Sequence, residues 1–258
     1  MPRISYAQNG EDIRVWRALH EAGHPGPGLV YVDVGANEPR HLSITASLHD
    51  LGWRGLLIEA DPVLAAELRV RRPGDVVIEC AAARSDGMLT FHRVPGTGLG
   101  TLEPAEAEAA RSRGFVVEDV EVPARPLDAI LDAYAPTEGI EDIHFMSIDV
   151  EGAEADVLAG LGLQRHRPWI MCIEAVLPGT TDPSHAGWEP ELLARGYRWV
   201  AFDGVNRWYV AEEHADLADV VAIPFNAVDA GEWGWIADDA ARDRAMVERD
   251  VRRHAWQR

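Results

Sequence analysis

Acidic residues close the apolar runs of this chain with a regularity that points to chemistry. "LVYVDV" carries Asp33 at its end, "GLLIEA" carries Glu59, "HFMSIDV" carries Asp149, "WIMCIEA" carries Glu174 and "YRWVAFD" carries Asp203. Neighbouring strands of a parallel sheet lie about 5 Å apart, and α/β folds bind ligands at their carboxyl ends, so Asp149 and Glu174 should face one crevice. Two carboxylates so placed either share a proton or bind a hard cation. Mg2+ held by Asp149 and Glu174, with Asp203 as a third ligand, is the expectation for the second case. The plain alternative is that one of them accepts from backbone N–H groups at a helix start. His185, in the loop "VLPGTTDPSHAGWEPELL", is a candidate general base because imidazole exchanges a proton near neutral pH. Trp188 beside it offers an apolar or sugar-stacking wall. His144 begins its apolar run, far from the crevice, and Glu151 is placed to cap its own helix. Both are read as structural.

The turn after the first run suggests what the crevice holds. "DVGANEP" follows its strand directly but lacks the second and third glycines that let a pyrophosphate lie against a helix start. NAD and FAD are therefore disfavoured. A cofactor without phosphate can use the same crevice, and S-adenosylmethionine is one, with Asp33 for its amino group and Gly35 for close backbone approach. On this stretch alone, Gly35 and Asn37 equally suit a turn that needs backbone freedom. Glu59 lies 26 positions beyond Asp33, where nucleotide-binding βαβ units put an acid for the ribose hydroxyls. In "IECAAARSDG" the small residues around Ala82 leave space for an adenine face.

These groups require a scaffold, and the remainder of the chain supplies one. Its 258 residues are 47% hydrophobic, enough for one α/β domain with additions. The formal charge of −19 argues against nucleic acid and anionic bilayers as partners. No run of eighteen apolar residues occurs and the start lacks the apolar core of a signal peptide, so a cytoplasmic protein is expected, without membrane insertion. Cys80 and Cys172 read as buried free thiols. Apolar β-rich runs alternate with helical stretches, among them 64–70 and 154–161, which predicts a mostly parallel, doubly wound sheet. A helix should open near Asn9, with Asn9 as cap and Asp12 three positions on. Residues 81–127 break the rhythm and read as an insertion over one end of the sheet. "RWVAFDGVNRWYVA" reads as an edge hairpin. A last helix over 238–258, flanked by Trp233, Trp235 and Trp256, presents Ile236, Ala240, Val247, Val251 and Ala255 on one face, broken by Arg244, and is the expected homodimer contact, with docking on its own subunit as the alternative. The division is thus 1–228 for the main domain and 229–258 for a C-terminal extension.

Taken together, "SYAQNGED", "YVDVGANEP", "LLIEADP", "GTGLGTL", "FMSIDVEGAE" and "GWEPELLARGYRWVAFDGVNRWYV" resemble the FkbM family of S-adenosylmethionine-dependent methyltransferases over roughly residues 5–226. The resemblance implies a Rossmann-like class I methyltransferase fold. It carries cofactor roles over to Asp33, Gly35, Asn37, Glu59 and Asp149 to Glu151, and to Tyr6, Gln8 and Asn9 of an N-terminal segment folded near the cofactor. The branch with that segment is associated with bacterial glycan and glycolipid assembly, which implies a sugar or glycoside hydroxyl as acceptor. Met146 and Ser147 replace the family's usual Lys-bearing stretch. "NEPRHLS" also departs from it, making Arg40 and His41 candidates for touching the acceptor. The alternatives are a nicotinamide-dependent sugar oxidoreductase and a non-catalytic cofactor-binding scaffold in glycan assembly.

Overall fold

In a computed structural model, which describes residues 4–234, the chain opens with β1 (Ile4–Ser5) and α1 (Glu11–Glu21), then alternates β2 (Val30–Val34), α2 (Ala46–Asp50), β3 (Arg54–Glu59), α3 (Pro62–Arg71) and β4 (Val76–Glu79). The insertion follows as β5 (Ala81–Ala82), β6 (Gly87–Arg93), α4 (Pro104–Ser112) and β7 (Glu118–Arg125). Next come α5 (Leu127–Glu138), β8 (Phe145–Ile148), α6 (Glu154–Ala159), β9 (Ile170–Glu174) and α7 (Glu189–Ala194). The chain continues through β10 (Tyr197–Phe202), β11 (Asn206–Ala211), α8 (Ala218–Ala222) and β12 (Glu232–Trp233).

The main sheet has seven strands in the order β10-β11-β9-β8-β2-β3-β4, with β11 antiparallel to both its neighbours and the rest of the ladder parallel. The chain winds outward from β2 to β4, then returns to the other side of β2 at β8. That reversal makes a switch point between β2 and β8, the place where an open α/β sheet leaves a crevice. The fold is α/β and Rossmann-like, as expected. β2 is "VYVDV", buried along its whole length, as a strand covered on both faces must be. One core gathers Leu127, Ile130, Val157 and Leu192 from α5, α6 and α7 onto one face. The other gathers Val15, Leu19, Leu48, Leu68 and Val221 from α1, α2, α3 and α8.

α3 begins as its sequence dictates, with Asp61 accepting from the Val63 N–H (2.8 Å) and Pro62 in the first turn. α1 begins otherwise. Its N-cap is Gly10 in the left-handed region, not Asn9, because Asp12 is drawn away to accept from the Ser5 and Ser47 hydroxyls (2.7 and 2.6 Å) and the Tyr6 N–H. The insertion forms a separate three-stranded sheet, β5-β7-β6, around Ala81, Phe91 and Val122. The hairpin β10–β11 lies at the sheet edge, as expected.

The division at 228/229 is not how the chain folds. A short 3-10 turn, Ala227–Asp229, spans that boundary, Asp229 pairs with Arg17 (2.6 Å), and β12 pairs in parallel with β1. Residues 229–234 therefore belong to the clamp on the N-terminal segment. The last helix and its dimer contact lie outside the described residues. Both cysteines are buried and free. Among the described residues no helix is long and apolar enough to cross a membrane.

Candidate active site

A cavity of about 390 Å3 opens at the carboxyl ends of β2, β3, β8 and β9, within the size range of small-molecule sites. The loop after β2 forms its floor. Gly35 has φ 81° and its N–H donates to the Ile58 carbonyl (2.9 Å), while any Cβ there would run into the Asp149 carbonyl oxygen. The first loop is thus packed directly against the end of β8, which only glycine permits. Asn37, also at positive φ (54°), has its N–H held by Glu59 (2.7 Å) and its side-chain oxygen buried without a partner at the cavity wall.

Glu59 stands at the end of β3 on the cavity wall. One carboxylate oxygen accepts from Asn37 and the other from the Asp61 N–H (2.7 Å), so the side chain is fixed with lone pairs left for two hydroxyls. Burial lifts its carboxyl to about 7. Asp33 accepts from the Thr45 hydroxyl (2.6 Å) and is lifted to about 6, again by burial. Cys80, Ala81, Ala82 and Phe91 line the end of the cavity nearest the insertion. The insertion closes that end. Arg93 pairs with Asp61 (2.6 Å), Thr101 donates to the Glu151 carbonyl (2.8 Å), and the glycine-rich loop lays Gly98 against the Asn37 side chain.

At the opposite end Asp149 and Glu174 meet, within hydrogen-bonding reach of each other, as their adjacent strand ends require. Enclosure raises both carboxyls, and Glu174 is raised further by its negative neighbours. Glu174 is only 6% exposed, whereas Asp149 is bared to the cavity lumen. Two carboxyls in such contact disfavour double ionisation. Glu11, from the N-terminal segment, also lines the cavity. It accepts from the Asn206 side chain (3.1 Å) and the Asn9 N–H (2.7 Å), and burial, then Asp203, lifts it to about 8. Gln8 also lines the cavity.

Several expected residues are placed elsewhere. Asp203 does not join the pair. It sits in the β10–β11 turn, accepting from the Val205 and Asn206 N–H groups (3.1 and 2.7 Å) and from the Trp208 indole (2.8 Å). Its oxygens are engaged in holding the hairpin, and among the described residues no group of three His, Cys, Asp or Glu side chains is arranged to hold a cation. The residues present do not fit the expected Mg2+ site. His185 does not line the cavity; its ring stands 3.8 Å from Glu189 and edge-on to Trp188. Trp188 is a core residue, 6% exposed and packed on Tyr209, rather than a wall. Tyr6 is absent from the wall as well: its ring lies under Arg40, which is itself held by Asp50 in a two-pronged ion pair. Neither Arg40 nor His41 reaches the cavity, and Leu42 and Ser43 line it instead. Helix capping falls to Glu154, which accepts from the Val150 and Gly152 N–H groups (3.2 and 3.1 Å), while Glu151 turns into the cavity. His144 is structural, as read: it accepts from the Val30 N–H (3.1 Å) at the opposite end of the sheet.

The family model described as the methyltransferase FkbM domain matches residues 33–199, from the end of β2 into β10. The chain belongs to the FkbM methyltransferase family. Membership of this FkbM family supports S-adenosylmethionine as the cofactor. The match begins after the N-terminal segment, so the roles of Gln8 and Glu11 stand on the geometry. Methyltransferase sdnD of Sordaria araneosa is 32% identical over 139 residues, covering 47% of this chain and 51% of that protein. The chain thus spans about half the length of the curated relative it matches. Two solved methyltransferases are loosely similar in structure. A TehB-like enzyme from Corynebacterium glutamicum has a TM-score of 0.40 at 10% identity, covering 77% of this chain and 87% of its own. An enzyme from Geobacter sulfurreducens, solved with S-adenosyl-L-homocysteine, has 0.36 at 15%, covering 76% and 66%.

Proposed function

We propose that this FkbM methyltransferase transfers the methyl group of S-adenosylmethionine to a hydroxyl of a sugar, glycoside or glycolipid precursor. The observation that carries the reading is the carboxyl pair Asp149–Glu174 at the end of the cavity away from Ala81 and Ala82. Methyl transfer is an in-line displacement: the acceptor oxygen bonds to the methyl carbon as the sulfur leaves with the electron pair. The hydroxyl's proton needs a nearby acceptor, and Asp149, the lumen-facing member, supplies one when ionised. When Glu174 holds its proton, no second negative charge builds up beside it. Asn206 and Gln8 add polar groups suited to a polyol, and the glycan-associated branch that the chain resembles supports a sugar. The wall's acidic character disfavours phosphate- or carboxylate-bearing acceptors.

Labelled methyl transfer across neutral mono- and oligosaccharides, with an amino sugar included and with and without chelator, tests the reading. Methyl ethers formed equally in both conditions are expected. N-methylation of the amino sugar alone, or no labelled saccharide, contradicts the hydroxyl acceptor, and loss of turnover on chelation contradicts the unassisted base.

A further inference from the structure

Among the described residues, five other than glycine stand at positive φ: Asn37, Leu42, Glu151, Leu163 and Ala230. That region disfavours side chains, bulky ones most of all. Three of the five, Asn37, Leu42 and Glu151, line the cavity. Leu163 is buried in the core, where packing offsets the strain. Leu42 has no such compensation: at φ 54° its side chain is 41% exposed. The backbone on both sides of it is nevertheless held. Arg40 is fixed by Asp50, the Arg72 guanidinium donates to the Pro39 carbonyl and the Ser43 hydroxyl (both 3.3 Å), and the Ser43 N–H donates to the Arg40 carbonyl (3.2 Å). This turn, in the stretch 37–43 that departs from the family pattern, thus sets an apolar side chain at the cavity opening. It also packs on the N-terminal segment, Arg40 lying over the Tyr6 ring (4.8 Å), and that segment reaches through Glu11 to Asn206, the cross-strand neighbour of Glu174. Leu99, half-buried on the glycine-rich loop, is a second apolar group lining the cavity. At about 390 Å3 the cavity is near the small end of the range for one drug-sized ligand, so donor and an extended acceptor are not both enclosed. Whatever the acceptor carries beyond its reacting sugar lies across the opening.

We infer that Leu42 is a specificity residue for the acceptor and selects glycosides with an apolar aglycone. The polar groups of the wall take the sugar, and the aglycone leaves the cavity over Leu42. An aliphatic chain laid there loses apolar surface to the protein, a stabilisation that a sugar without such a chain does not gain. The inference rests on the proposed sugar acceptor and narrows its class.

Calorimetry of the protein loaded with S-adenosylhomocysteine compares the methyl and n-octyl glycosides of glucose, galactose and mannose, with the octyl compounds kept below micellar concentrations. For the best-bound sugar the octyl glycoside is expected to bind about tenfold or more tighter than the methyl one, a difference of about 1.4 kcal/mol. Leu42→Asn puts a polar side chain of similar size where the left-handed region suits it, so the backbone is kept. That variant should melt no lower than the parent and cut the octyl preference about threefold or more, with methyl-glycoside and S-adenosylhomocysteine affinities within about twofold. Leu42→Gly, unstrained at this φ, provides a second variant with the same expectation. Val70→Ser, at an exposed apolar position of α3 outside the cavity lining, should leave the preference intact. Equal binding of the two glycosides, a preference that survives both Leu42 variants or falls equally in Val70→Ser, or a loss of S-adenosylhomocysteine affinity in the Leu42 variants overturns the inference while leaving the sugar acceptor in place. Failure of every glycoside to bind overturns both.

Discussion

Gly35 shows how closely one backbone position can be dictated by a residue distant in sequence. Its φ of 81° is one constraint and the Asp149 carbonyl lying where a Cβ would go is another. Gly35→Ala should abolish S-adenosylhomocysteine binding, whereas Gly74→Ala, at φ 98° in open surroundings, should retain it with a loss of about 1 kcal/mol in stability. Calorimetric binding paired with a thermal melt for each variant checks this, and a Gly35→Ala protein that binds normally rejects the packing argument. Asp149→Asn removes the proposed base and should lower turnover about 100-fold or more with product affinity little changed. Unimpaired kcat in that variant would remove Asp149 from the chemistry. The strand-end acids Asp33, Glu59, Asp149 and Glu174 were legible in the sequence because a parallel sheet forces its carboxyl ends together. Asp203 looked the same in one dimension, yet an aspartate in a hairpin turn bonds the backbone two residues on, which Asp203 does with Val205. Glu11 was invisible as a site residue, since an acid in the first turn of a helix is ordinary.

At the scale of elements, the N-terminal segment is tied down from three directions. Asp12 gathers Ser5, Tyr6 and Ser47, Arg17 pairs with Asp229, and β12 pairs with β1. The carboxylate of Asp12 is fully enclosed, so removing it orphans buried donors. Asp12→Ala should cost about 1–3 kcal/mol of stability and, by loosening Gln8 and Glu11, weaken donor binding as well. Denaturant unfolding together with donor titration tests this, and a destabilised variant with full donor affinity would separate the clamp from the site. The core strands, the crossover helices and the edge hairpin were readable from apolar periodicity. α5 was not assigned, although Leu127, Ile130, Leu131 and Tyr134 have helical spacing, because it follows directly on an irregular insertion and contains Pro136. The clamp was unreadable because a two-residue strand pairing first with last has no local pattern.

For the molecule as a whole, the acidic cavity couples folding to pH. Burial raises Glu11 to about 8, Glu59 and Glu154 to about 7, and Asp33 to about 6. Each keeps its proton in the folded state at a pH where the unfolded chain has lost it, so the folded state binds more protons. The stability these groups contribute is complete below about pH 4 and is lost as pH rises through their folded values. The ligand-free protein should melt at a lower temperature at pH 9 than at pH 6.5, a window above the lowered titration of His144 near 4. A melting temperature that rises over that interval contradicts the enclosure of these acids.

All of these expectations depend on where the methyl donor sits, which a crystal structure of the protein with S-adenosylhomocysteine measures directly. The predicted complex has both ribose hydroxyls on Glu59, the purine between Ala82 and Phe91, and the sulfur on the side of the cavity nearest Asp149. Ribose bound away from Glu59, or a sulfur pointing to the insertion rather than to the Asp149–Glu174 pair, would contradict it.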